Sequence, residues 1–149
     1  MSRVVLCALW LFPLDAAATG PLHGVPIQQD TSLERYANDL VGDDTSERLY
    51  AVRVLRRRVR GAWRIAGRNN MELRVVEARQ TLSHFDTLVA PRCIRQLKVA
   101  NTRKGCASIL GMLETADALD ELRAAQHTTN RKSDVRVIQR AIQRIEGVQ

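Results

Sequence analysis

Apolar residues recur at spacings of three and four along most of this chain, which is the period of an amphipathic α-helix. The pattern is clearest over 102–147, where three short apolar series are separated by polar joints. One amphipathic helix cannot bury its apolar face alone, so we expect these three to pack on one another and on the preceding chain. The three series are Cys106, Ala107, Ile109, Leu110 and Leu113; Ala118, Leu119, Leu122 and Ala125; and Val135, Ile138, Ala141, Ile142 and Ile145.

The same period predicts further helices before this region. They cover about 31–41, 43–65 and 71–85, and the second opens with acidic residues, which suit the positive end of a helix. Pro91 is predicted to start a separate short helix over 91–99, because proline is best tolerated in the first turn.

The N-terminal segment, 1–18, has the form of a secretory signal peptide. One arginine precedes an apolar run over 4–14, and three alanines then supply small residues for cleavage. The run is too short for a bilayer, which needs about 20 residues, so we expect no membrane span after its removal. Residues 19–30, with two glycines and two prolines, are predicted to form a linker before the folded domain, 31–149. The alternative is that the N-terminus is a buried helix of that domain.

The chain is strongly basic. It has 23 basic and 16 acidic residues and a formal net charge of +7, and 20 of the basic residues are arginine. Such a charge indicates attraction for acidic partners and says nothing about the fold. Aromatic residues make up only 4%, so the core must consist of Leu, Val, Ile and Ala, which suits closely packed helices.

Arginine is most concentrated in the predicted helix over 48–68. Guanidinium groups bind phosphates and other oxyanions through forked hydrogen bonds, so this helix is a candidate polyanion-binding element. The alternative is a solvated outer face with local acidic partners. Only Trp63 interrupts the arginines with an aromatic ring, which gives little support for stacking on bases. The candidate residues are Arg53, Arg56, Arg57, Arg58, Arg60 and Arg64.

Cys93 and Cys106 are the cysteines that remain after removal of a signal peptide. If the chain forms a helical hairpin turning near Asn101, they lie at similar heights on facing helices. Export would permit a disulfide between them. The alternative is a pair of small buried thiols.

Known catalytic motifs are missing from the sequence. It contains neither a glycine-rich phosphate loop after a strand nor a Gly-x-Ser-x-Gly motif. The three histidines lie far apart, and their spacing relative to the cysteines does not fit a zinc site. We therefore expect neither an enzyme nor a bound cofactor.

Two stretches share a basic residue, a small or apolar pair and a leucine. They read Arg48-x-x-Ala51-Val52-x-x-Leu55 and Arg103-x-x-Cys106-Ala107-x-x-Leu110, and 116–146 joins a short Ala/Leu helix to a helix containing Val-Arg. Together these features resemble HEAT repeats. The resemblance implies an all-α fold, a short right-handed α-solenoid of about three to four stacked antiparallel helix pairs.

HEAT-like repeats usually serve as scaffolds or binding surfaces. With the signal-peptide pattern, the resemblance favours a non-enzymatic module that binds a protein partner in the periplasm or outside the cell. The alternative is a cytoplasmic protein that keeps its N-terminus and binds nucleic acid or another polyanion through the Arg-rich helix over 48–68.

Overall fold

A computed structural model describes residues 31–67 and 73–147. These residues form six α-helices and one 3-10 turn, without a strand among them, which confirms the predicted all-α class. The predicted signal peptide and linker, 1–30, lie outside the described residues. The helices are α1 (Thr31–Asp39), α2 (Thr45–Ala66), α3 (Leu73–Gln96), α4 (Ala100–Leu113), α5 (Leu119–Thr128) and α6 (Lys132–Ile145), with the 3-10 turn at Ala116–Ala118.

The fold is centred on α4, because α2, α3 and α6 all pack against it. Its second half is almost entirely buried. Other extensive contacts join α1 to α2 and α3, α2 to α3, and α5 to α6. Each extensive contact therefore links helices that are adjacent or next but one in the sequence. The largest fully buried aliphatic side chains are Leu40, Leu55, Leu97, Ile109, Leu110, Leu122 and Ile138.

α2 begins with acidic residues, as the sequence predicts. Asp44 is the N-cap residue, and its carboxylate accepts hydrogen bonds from the backbone N–H groups of Ser46 (2.6 Å) and Glu47 (3.1 Å). These bonds satisfy two of the amides that a helix leaves without partners at its N-terminus.

The prediction of two helices around Pro91 is wrong. α3 is continuous from Leu73 to Gln96, with Pro91 exposed in its interior. A proline there removes one hydrogen bond and crowds the preceding turn. The apolar face continues across it, because Phe85, Val89 and Cys93 follow one another at intervals of four and are all buried. Burial of this continuous face outweighs the local cost of the proline.

The turn between α3 and α4 comes earlier than predicted. It occupies 97–99, and Asn101 lies inside α4. The hydroxyl of Thr102 donates to the backbone oxygen of Gln96 (3.2 Å), and Nε of Arg103 donates to the backbone oxygen of Leu97 (2.7 Å). These bonds tie the first turn of α4 to carbonyl groups at the end of α3, where the Gln96 oxygen also accepts from the N–H of Val99 (3.1 Å).

Two glycines let neighbouring helices approach α4 closely. A Cβ atom on Gly105 would overlap Cγ1 of Val52 in α2. A Cβ atom on Gly111 would lie 2.6 Å from Cα and 2.7 Å from Cβ of Ala141 in α6. The missing side chains therefore set the separations of α4 from α2 and α6, and these three helices enclose the site described next.

Candidate anion-binding site

The six candidate arginines of α2 lie on different sides of that helix. Arg56, Arg60 and Arg64, spaced by four residues, line a groove toward α4 and α6. Arg58 lies on the side of α1, where it donates to the hydroxyl of Ser32 (3.1 Å) and its guanidinium lies 5.5 Å from the ring centre of Tyr36. The structure therefore brings only part of the predicted set together.

Arg53 and Arg57 form a third group on α2. Both are exposed, and neither lines the groove. They are spaced by four residues, as are Arg56 and Arg60, which makes them a natural comparison for the groove pair.

The groove has a volume of about 380 Å³ and lies between α2, α4 and α6. Lys104 of α4 and Arg140 and Arg144 of α6 join the three arginines of α2 along it. All the charged residues that line it within the described part of the chain are basic. Its remaining lining residues are Ala107, Ser108, Gly111, Val137 and Ala141.

Sequence spacing explains why these side chains meet. On α4, Lys104, Ala107, Ser108 and Gly111 follow the i, i+3, i+4, i+7 pattern of one helix face. The groove residues of α6, 137, 140, 141 and 144, repeat that pattern. Small residues at the centre of both faces leave room for the groove between the helices, and long basic side chains flank it.

Within the described part of the chain, carboxylates do not pair with the basic side chains of the groove. Across 31–67 and 73–147, the ion pairs join Arg35 to Asp39 (3.9 Å) and Arg123 to Asp120 and Glu146 (3.5 and 2.7 Å). None of the six basic groove residues takes part. Like charges held this close repel one another and create a positive potential that an anion would relieve.

Arg144 is held in place by Trp63. Its guanidinium carbon lies 5.0 Å from the centre of the Trp63 ring, a cation–π contact between α6 and α2. Trp63 is itself half-buried and packs against the core. The contact therefore connects the end of the groove to the interior of the protein.

Lys104, Arg140 and Arg144 were not among the candidate residues predicted from the sequence. A signal for two of them was present, because Arg136, Arg140 and Arg144 repeat at intervals of four along α6. The proximity of α6 to α2 was not available from that spacing. It arises because α2 and α6 both pack against α4, with Gly111 of α4 in close contact with Ala141 of α6.

Cys93 and Cys106 are brought together on α3 and α4. Both are buried free thiols. Burial raises the pKa of the Cys93 thiol well above its usual value, and the neighbouring Cys106 thiol raises this pKa further. The predicted disulfide between them stays a prediction.

A larger concave region of about 880 Å³ lies between α2 and α3 and is lined mainly by apolar atoms. Its charged residues include Glu77 as well as Arg58 and Arg74, so it does not concentrate one sign of charge. Within the described residues, no group of three or more His, Cys, Asp or Glu could hold a metal ion. No described helix combines the length and apolar character needed to cross a membrane.

No protein-family model, curated protein or solved structure matches this chain. The chemistry of the groove is therefore the basis for a functional proposal.

Proposed function

We propose that this protein is a non-enzymatic binding module and that the groove between α2, α4 and α6 binds a polyanion. The observation that carries the proposal is the convergence of six basic side chains from three helices with no carboxylate partner among the described residues. Guanidinium groups suit this role because they stay charged and bind oxyanions through two parallel hydrogen bonds.

We also propose a HEAT-like solenoid arrangement for the helices. Contacts between adjacent and next-but-one helices are the contacts that stacked helix pairs make, and they support this assignment. A scaffold role outside the cytoplasm stays a prediction, and an acidic protein surface is one of the polyanions that the groove could bind. Export does not affect the proposal, because the groove lies entirely within 56–144.

Two matched double variants of the full chain test the site. R56Q/R60Q removes two groove charges, whereas R53Q/R57Q removes two exposed charges at the same spacing on the same helix. With inorganic polyphosphate as the probe in calorimetric titrations at about 0.15 M salt, we expect R56Q/R60Q to weaken binding by about 10-fold or more. R53Q/R57Q should change it by less than about 3-fold, since at this salt exposed charges outside the groove are screened over about 8 Å.

A third variant, K104Q/R140Q, tests whether α4 and α6 contribute. We expect it to weaken polyphosphate binding as R56Q/R60Q does, because both pairs line the groove. Circular dichroism would establish that each variant keeps its helical fold. Equal losses for R53Q/R57Q and R56Q/R60Q would show that general charge attraction explains the binding and would overturn the proposed site, as would the absence of polyphosphate binding by the unmodified protein.

A further inference from the structure

We infer that the polyanion is a double-stranded nucleic acid, bound along the phosphodiester backbone of one strand and without stacking on its bases. This inference rests on the proposed function. The groove's lining residues, its length and its rigidity each bear on it.

The lining residues offer no aromatic ring on which an unpaired base could stack. Among the described residues, none of the side chains that line the groove is aromatic. The ring of Trp63 is in contact with Arg144, and Tyr50, although 58% exposed, lies with Tyr36, on the side of α1. Proteins that bind single strands without sequence preference rely on such stacking, which contributes about 1–3 kcal/mol per base. A single strand would therefore lack stacking on aromatic rings here.

The length of the groove matches a short piece of duplex backbone. Arg56 and Arg64 are eight residues apart on α2, which corresponds to about 12 Å along the helix axis. That length of duplex axis carries about three or four phosphates on each strand. Six basic side chains therefore line a length that corresponds to three or four phosphates of one strand.

The helices that form the groove are packed closely against one another, so that their backbones offer a rigid surface, which favours a ligand that is already ordered. The basic residues of the groove project from three helices fixed by the contact of Gly111 with Ala141 and by the contact of Arg144 with Trp63. A flexible polyanion must lose conformational freedom to follow a rigid surface, and a duplex has already lost it. Ser108 is the one neutral polar side chain that lines the groove in the described part, so hydrogen bonding offers a flexible chain little compensation.

The test compares polyanions of different stiffness on the full-chain protein. Fluorescence anisotropy would measure the affinity for a labelled DNA duplex of about two helical turns, the same strand unpaired, and the corresponding RNA duplex, with polyphosphate and polyglutamate as competitors. We expect at least one duplex to bind about 10-fold more tightly than the single strand. For three to four phosphate contacts, the slope of log K against log salt should be about −3, and R56Q/R60Q should make it shallower by about 2.

Comparison of the DNA duplex with the RNA duplex shows which of the two the protein binds more tightly. Tighter binding of either duplex than of the single strand supports the inference. Single-strand binding as tight as that of both duplexes would overturn it. Polyglutamate that displaces the duplexes at equal charge concentration would also overturn it and would favour an acidic protein partner. In both cases, if R56Q/R60Q still weakens polyphosphate binding, the proposed function stands. If R56Q/R60Q leaves the affinity for polyphosphate unchanged, the proposed function itself is refuted.

Discussion

Replacement of Gly111 by alanine tests the helix contact that encloses the groove. The new Cβ atom would lie 2.6 Å from Cα of Ala141, a backbone atom of α6 that no side-chain rotation can move. Favourable contact between carbon atoms begins at about 3.5 Å, so α6 must move by about 1 Å. The same shift would displace Arg140 and Arg144, which flank the groove.

The expected change in the free energy of unfolding of G111A follows from two opposing effects. Overpacking of a close contact costs about 1–3 kcal/mol. Alanine is favoured over glycine in a helix by about 1 kcal/mol, which offsets part of this cost. Gly61 provides the matched control, because it is exposed in α2 and no atom lies within 4 Å of a Cβ placed on it. G61A should therefore stabilise the protein by about 0.5–1 kcal/mol.

Urea unfolding followed by far-ultraviolet circular dichroism would measure both variants in the presence of reductant. Both variants gain the same helix propensity from the replacement of glycine by alanine. The difference between them is therefore the cost of overpacking, and G111A should be less stable than G61A by about 1–3 kcal/mol. G111A should also bind polyphosphate more weakly than the unmodified protein, and G61A should not. If G111A raises the free energy of unfolding as much as G61A does, α4 and α6 do not approach each other as closely as described, and the groove between them does not have the described shape.

Three further predictions concern single residues. Pro91→Ala should raise the free energy of unfolding by about 1–3 kcal/mol, because alanine supplies the hydrogen bond that proline removes from the interior of α3. Asp44→Ala should lower it by about 1 kcal/mol through loss of the α2 N-cap. The contribution of Cys93 to the stability of the reduced protein should be constant below about pH 8.5 and should fall above it, since the unfolded thiol of Cys93 then ionises while its raised pKa keeps the folded thiol protonated. Cys93→Ala should make that fall smaller.

Urea titrations check all three predictions. A loss of stability in Pro91→Ala would mean that the proline favours the native path of α3. No change in Asp44→Ala would mean that water replaces the cap without cost. A stability that rises between pH 8 and 10, or an equal fall in Cys93→Ala, would contradict the buried environment assigned to Cys93.

The helical class and the start of α2 could be predicted from sequence because both depend on local information. The apolar period of 3.6 residues is set by each helix's own buried face, and Asp44 caps a helix that follows it directly. The same local reasoning was wrong at Pro91. There the cost of a proline is local, but the burial of Val89 and Cys93 that outweighs it comes from α4 and other distant parts of the chain.

The candidate site was predicted only in part. The arginine content of α2 pointed to the helix that forms one side of the groove, but helix periodicity alone did not say which of its arginines would face α4 and α6. Arg58 therefore appeared equivalent to Arg56, although the structure places it beside α1. Lys104 and Arg140 join the site through tertiary packing, which single-helix patterns do not contain.

The most direct test of the central claim is to observe the arginine side chains themselves while a polyanion binds. Two-dimensional NMR of the guanidinium Nε–H groups, assigned by single Arg→Lys variants, would follow a titration with polyphosphate. We expect the signals of Arg56, Arg60, Arg64, Arg140 and Arg144 to shift together as one site fills, while those of Arg53 and Arg57 stay nearly constant. Shifts of Arg53 and Arg57 as large as those of the groove residues would contradict the claim that this groove binds the anion.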